Sequence, residues 1–211
     1  MSFHPEVLTQ RQLQVLRQLG AVTAERSFYL GGGTAIALQL GHRRSIDFDW
    51  FRQDPIPDPL ALSREIQDRG LPFVTGWTET NTLYGSIRGV RLSFFQFRYP
   101  LLDPVVPWQE LDCQLAPLRD LACMKLSAIA QRGSRKDFVD LFALGRHGFS
   151  LADMLRWYNE KFEVRDVGHL LYALVYFDDA EAERMPAMIS KMSWREIKRT
   201  IQAWVKAYPS R

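Results

Sequence analysis

"YLGGGTAIALQLGHRRSIDFDWF", Tyr29 to Phe51, is the stretch on which this chain turns. Three glycines come first, then an apolar run, then two arginines, then two aspartates one residue apart. "SFYL" before the glycines reads as a short buried strand. "TAIALQL" is apolar on almost every side, as a buried helix is, with Thr34 as its expected N-cap. In "SIDFDWF" the apolar Ile46, Phe48 and Trp50 alternate with Asp47 and Asp49. That strand period puts both carboxylates on one face.

Two like charges held together repel unless a cation sits between them. Mg²⁺ suits the place, being a hard ion held by one or two carboxylates plus substrate phosphates. Gly31, Gly32 and Gly33 lack Cβ atoms, so backbone N–H groups can come close to a phosphate. The helix that follows adds partial positive charge at its start. Arg43 and Arg44 are placed to neutralise the remaining phosphate charge. Each piece has a plainer reading: a tight turn, a solvated sheet face, a surface basic pair. Their combination in one span favours a nucleoside triphosphate and its metal.

Working outward, Leu8, Leu13, Leu16 and Leu19 recur at helical intervals between Pro5 and a stop at Gly20. Asp58-Pro59 starts a helix that runs to Arg69. "LPFVTGW", "NTLYGSI" and "VRLSFFQF" are β-rich, with a turn at Arg88-Gly89. Proline density rises in "RYPLLDPVVP", read as a connection. From Leu118 the pattern is helical: "LRDLACMKLSAIAQRG", then "SRKDFVDLFALGRHG". Ser150 with Asp153 and Ser193 with Glu196 have capping-box spacing. Trp194 is expected to fasten the last helix to the body. The fold class expected is α+β, a mixed sheet flanked by helices and followed by a helical region, divided into residues 1–110 and 111–211.

The 211 residues, 46% hydrophobic, suffice for one sizeable core. A net charge of +3 argues little for nucleic-acid binding by itself. Cys113 and Cys123, in or near a helical stretch, form neither a metal spacing nor a disulfide framework, and read as buried reduced thiols. The first residues do not read as a signal peptide, and no segment is apolar enough to span a bilayer. The expectation is a cytoplasmic protein with no membrane partner. His4, His42, His147 and His169 show no metal spacing.

Gly32-Gly33 followed by "TAIALQLGHRRSIDFDWF" resembles the signature of the DNA polymerase β-like minimal nucleotidyltransferases, and more closely the abortive-infection nucleotidyltransferase toxins (AbiEii/AbiGii). "MKLSAIAQRGSRKDFVDLFAL", Met124 to Leu144, resembles that family's second signature. The resemblance covers nearly the whole chain. It implies a glycine loop, with Gly32, Gly33 and Thr34, on an NTP. It implies Mg²⁺ on Asp47 and Asp49, and transfer of a nucleotidyl group to an RNA or protein hydroxyl. It also implies a toxin role opposite a cognate antitoxin. Lys125 would contact the nucleotide, Asp137 would be a catalytic or orienting acid, and Lys136 and Arg132 its basic neighbours. Without the resemblance, Lys136 and Asp140, four apart, read as a surface pair, and Lys125 and Arg132 as solvated side chains.

One departure stands out. Active superfamily members carry a third carboxylate on a later strand. Ser93 aligns there, with Arg91 on its face, and a neutral hydroxyl is a poor metal ligand. A nucleotide-binding protein without turnover is therefore the alternative. A haloacid-dehalogenase-type hydrolase is set aside, because Phe51 stands where that motif needs threonine.

Overall fold

The structure, a computed structural model, describes residues 2–209. A single 3₁₀ turn at Pro5–Val7 leads into helix α1, Gln10–Glu25. Thr9 and Gln12 close a full capping box at its start. The helix continues past Gly20, the expected stop, because that glycine lies buried against the carbonyl of Leu111. Strand β1 is Tyr29–Leu30, helix α2 Gly32–Leu40, strand β2 Phe48–Arg52 and helix α3 Pro59–Asp68. Asp58 caps α3 by accepting from Ala61 N at 2.9 Å.

Strands β3, Phe73–Glu79, β4, Thr82–Ile87, and β5, Val90–Gln96, form a meander. The expected turn joins the last two, with φ of 51° at Arg88 and 78° at Gly89. The proline-rich connection hides a strand, β6 at Val106–Trp108, which pairs antiparallel with β7 at Cys113–Leu115. Cys113 thus begins a strand, between the 3₁₀ turn Gln109–Leu111 and the helix that starts at Leu118. It is buried and free, as is Cys123, and burial pushes both thiols up to about 12. Helices α4, Leu118–Arg132, α5, Arg135–Arg146, and α6, Leu151–Phe162, follow. Then come α7, Gly168–Val175, α8, Asp178–Glu181, and α9, Trp194–Ala207.

The seven strands make one mixed sheet in the order β3-β4-β5-β2-β1-β7-β6. β2 runs parallel to β5, β1 parallel to β7, and the other neighbours antiparallel. Helix α2 packs on β2 and is covered by α4 and α5. Its Ala35, Ile36, Ala37 and Leu38 are fully buried. Burial of side chains such as Ile36 and Leu38 is worth about 1.5–3 kcal/mol each. The expected boundary at residue 110 falls in the turn between β6 and β7, and the buried side chains on both sides of it belong to one continuous core. Trp194 does fasten the last helix: its ring meets Phe138 and Phe177 edge-on, and its Nε1 donates to Glu181 Oε2 at 3.0 Å.

Candidate active site

The acid pair opens the site. Strand β2 begins at Phe48, so Asp47 lies just ahead of it and Asp49 within it. Phe48 and Trp50 point into the core, whereas Ile46 is 67% exposed. The alternation holds from Asp47 onward. Ile46 escapes it because it belongs to the loop, not the strand. Asp47 accepts from Arg91 Nε at 2.7 Å and Nη2 at 2.8 Å. Asp49 enters no ion pair among the described residues. Burial pushes its pKa up, the Ser93 hydroxyl bonded to it works the other way, and the charge of Asp47 pushes it up again. Ser93 is the parallel register partner of Asp49 across β2 and β5.

The helix behind the glycine cradle starts one turn earlier than expected. Gly31 is the N-cap of α2, and Thr34 lies inside the first turn, buried. Thr34 Oγ1 donates to the Asp47 carbonyl, and Ser45 Oγ donates to Thr34 Oγ1 at 2.6 Å. Thr34 therefore pins the loop that delivers the acids, rather than capping its helix. Gly32 has φ of 61°, and a Cβ there would stand 2.8 Å from Asp49 Oδ2. A Cβ on Gly33 would stand 2.1 Å from Arg43 Nη2. The glycines thus admit the carboxylate and the guanidinium.

Behind the cradle lies a buried ion network. Asp140 accepts from Arg43 Nε at 2.6 Å and Nη2 at 2.8 Å, and from His42 Nε2 at 2.8 Å. Lys125 Nζ bridges Asp140 Oδ2 at 2.8 Å and Asp137 Oδ1 at 2.9 Å. Asp137 also accepts from Arg132 Nε at 2.9 Å and Ser134 Oγ at 2.7 Å. Burial alone would raise the pKa of both acids. The charge on Lys125, with the hydrogen bonds from Arg132 and Arg43, instead holds them far below the usual carboxylate range. Burial likewise opposes the charge on Lys125, and the two aspartates outweigh it and raise its pKa. The expected surface pair of Lys136 and Asp140 does not form, because α5 turns Asp140 fully inward while Lys136 faces solvent. Lys125 is not solvated either; it is 4% exposed.

One cavity of about 210 Å³ gathers these features. Gly32, Gly33, Thr34, Arg43, Arg44, Asp47, Asp49, Lys125, Arg132 and Lys136 all line it. Asp137 does not; it stands behind Lys125 and Arg132 and holds them. Sequence reasoning missed the rim contributed by Pro186 and Ala187. Arg44 N donates to Ala187 O at 2.8 Å, and Ile189 N and Ser190 N donate to His42 O at 3.0 Å. No local pattern marks such a distant loop. It missed the inward role of Asp140 as well, although its position one turn beyond Asp137 was a usable signal. Asp49 lines two further cavities. One, of about 520 Å³, lies over β3 to β5, and the other, of about 410 Å³, lies between the sheet and α4.

Among the described residues no group of three or more His, Cys, Asp or Glu is arranged to hold a metal. Asp47 and Asp49 remain. Two carboxylates suit Mg²⁺, which takes its other ligands from phosphates and water. The half-buried charge on Asp49, which enters no ion pair among the described residues, is the feature a cation would compensate.

The sequence model described as "Nucleotidyl transferase AbiEii toxin, Type IV TA system" matches residues 14–205. The chain belongs to the AbiEii nucleotidyltransferase toxin family. An uncharacterized Aquifex aeolicus protein is 36% identical over 203 residues, 95% of this chain and 97% of its own. Among solved structures, the AbiEii chain is similar in fold to MenT4, a nucleotidyltransferase toxin of Mycobacterium tuberculosis. The TM-score is 0.54 and the identity 15%, over 87% of this chain and 76% of that one. Helicobacter pylori JHP933 gives a TM-score of 0.53 at 16% identity, over 97% and 92%. Both likenesses speak to the fold: an α+β nucleotidyltransferase architecture built on a mixed sheet. No helix among the described residues is long and apolar enough to cross a membrane.

Proposed function

We propose that the protein is a Mg²⁺-dependent nucleotidyltransferase that moves a nucleotidyl group from an NTP to an RNA or protein hydroxyl. It would act in the cytoplasm as the toxin opposed by a cognate antitoxin. The observation that carries this reading is the convergence at Asp49. The acid pair, the start of α2 and a set of cations line one cavity.

In this reading the triphosphate lies in the 210 Å³ cavity, against the N-terminus of α2 and beside Arg44, Arg132 and Lys136. The nucleoside extends into the cavity between Phe51, Phe95 and Met124. That cavity shares Gly32, Lys125 and Arg132 with the first. Asp47 and Asp49 hold the metal, which supplies charge neutralisation on the phosphates. The accepting oxygen bonds the α-phosphorus, the bond from that phosphorus to the bridging oxygen breaks, and pyrophosphate leaves. The hydroxyl proton passes to water, because Asp49 is committed to the metal and Ser93, its register partner, is no base. Arg43 and Lys125 act as fixed positive charge in the wall, held by Asp140 and Asp137. Asp137 is a positioning residue: its depressed pKa keeps it ionised, so it is no proton donor near neutral pH.

Incubation with each α-labelled NTP, Mg²⁺ and cell extract tests the proposal. Label is expected to reach RNA or protein with the wild type and not with Asp49→Asn. Equal labelling by both, or none from any NTP, contradicts it.

Ser93 beside Asp49, and Arg91 on Asp47, favour a second reading: nucleotide binding without turnover. Ser93→Asp separates the two, since only a site that has lost a carboxylate gains transfer from it.

A further inference from the structure

The 520 Å³ cavity lies on the open face of β3, β4 and β5, and nothing in the proposed seating of the NTP fills it. Its floor is a straight row across the sheet. Trp77 is the register partner of Tyr84, Tyr84 of Ser93, and Ser93 of Asp49. At one strand spacing per step, Trp77 stands about 14 Å from Asp49. The rings of Trp77 and Tyr84 lie parallel, 14° apart, with centroids at 4.1 Å. Tyr84 thus fixes one face of the indole, and Trp77 remains 50% exposed.

We propose that this row is the acceptor subsite, and that Trp77, backed by Tyr84, is a platform on which an unpaired nucleobase next to the accepting hydroxyl stacks. The inference rests on the transfer reading above and names its acceptor as single-stranded RNA. Two observations support it. The cavity shares both carboxylates and Lys136 with the triphosphate cavity, while the nucleoside cavity shares only Asp49 with it. An end laid along the row therefore approaches the α-phosphate from the side the NTP leaves open. Arg88, exposed at the β4–β5 turn, supplies positive charge for a phosphate backbone, while Arg91, on the rim, is already paired with Asp47. Glu79, near Tyr84, is the opposing charge at the far end.

A protein acceptor fits less well. β3 is the edge strand, where a peptide would dock by adding a strand. The register shifts between Thr75 and Trp77, and such a bulge interrupts the regular ladder that strand addition needs. The same bulge sets Trp77 opposite Tyr84. Stacking on one flat ring tolerates the irregular edge.

The test is fluorescence anisotropy on the full chain without NTP, using a labelled single-stranded RNA with a free 3′-hydroxyl and a duplex of the same sequence. Trp77→Ala is expected to weaken single-strand binding about ten- to a hundred-fold. Trp77→Phe should retain most of the affinity, the duplex should bind less than the single strand, and thermal stabilisation by NTP should be unchanged. Wild-type affinity in Trp77→Ala overturns the platform, as does equal loss on the duplex or label transfer to protein that Trp77→Ala leaves intact. If no NTP supports transfer yet Trp77→Ala still weakens RNA binding, the platform stands and the reaction falls. If transfer to RNA proceeds with unchanged kcat and KM in Trp77→Ala, the reaction stands and the platform falls.

Discussion

Two aspartate pairs lie close together in this molecule, and their environments are opposite. Asp137 and Asp140, one turn apart on α5, are fully buried, and Lys125, Arg43, Arg132, His42 and Ser134 all point at them. Asp47 and Asp49, at the start of β2, reach the cavity, and Asp49 is hydrogen-bonded to the Ser93 hydroxyl, with Lys125 and Lys136 near it but no ion pair among the described residues. The first pair has its pKa driven down, while Asp49 has its pKa driven up. One pair is saturated with cations and belongs to the framework. In the other, Asp47 holds one exposed arginine, Arg91, and Asp49 enters no ion pair among the described residues, which leaves Asp49 open to a ligand. The direction of the pKa shift separates Asp49 from Asp137 and Asp140 where residue type does not.

The largest expected effect breaks the comparison on the functional side. Asp49→Asn should lower label transfer on the order of a thousand-fold, since a metal carboxylate contributes several kcal/mol. It should leave the denaturant midpoint unchanged or raised, because burial opposes the charge that it removes. Asp140→Asn should do the reverse. It leaves Arg43 and Lys125 buried without full compensation and should cost about 3–5 kcal/mol in urea unfolding. A stability loss with Asp49→Asn equal to that with Asp140→Asn would erase the distinction.

pH sharpens it. Asp137 and Asp140 have folded pKa values below their unfolded value of about 3.9. The stability they contribute is fully present above that value and is lost as pH falls through the folded pKa. Asp49 has the opposite sign: stability falls as pH rises from the unfolded to the raised folded value. Acid titration of the unfolding free energy should therefore show steep acid destabilisation in the wild type and a shallower slope in Asp140→Asn. An unchanged slope contradicts the network.

Smaller effects test the contact between the two regions. Gly32→Ala, at φ of 61° and 2.8 Å from Asp49 Oδ2, should cost about 1–2 kcal/mol and displace the carboxylate, reducing transfer further than stability. Lys136→Ala, on an exposed side chain, should change stability by less than about 0.5 kcal/mol. It should weaken NTP binding about tenfold, measured by calorimetry.

Much of this was legible in the sequence. The strand period from Asp47 to Trp50 set the acids on the open face, and the apolar α2 required cover from two further helices. Other features depended on contacts far apart in the chain. Nothing near Gly20 announces Leu111, and nothing near Arg43 announces Asp140, so a helix stop and a phosphate-facing arginine were the local expectations. Thr34 was expected to cap because threonine before an apolar run usually does. Gly31 takes that position because Gly32 must adopt a left-handed conformation beside Asp49. Lys136 and Asp140 sit at helical spacing for a surface pair, and only the packing of α5 on α2 and α4 turns one of them inward.

The central claim is that Asp47 and Asp49 grip a divalent cation beside a triphosphate. Calorimetric titration of a non-hydrolysable NTP, with and without Mg²⁺, on the wild type and Asp49→Asn addresses it directly. Tight binding should require Mg²⁺ in the wild type, and the metal dependence should vanish in the variant. Binding that ignores Mg²⁺ in the wild type, or keeps its full metal dependence in Asp49→Asn, would contradict it.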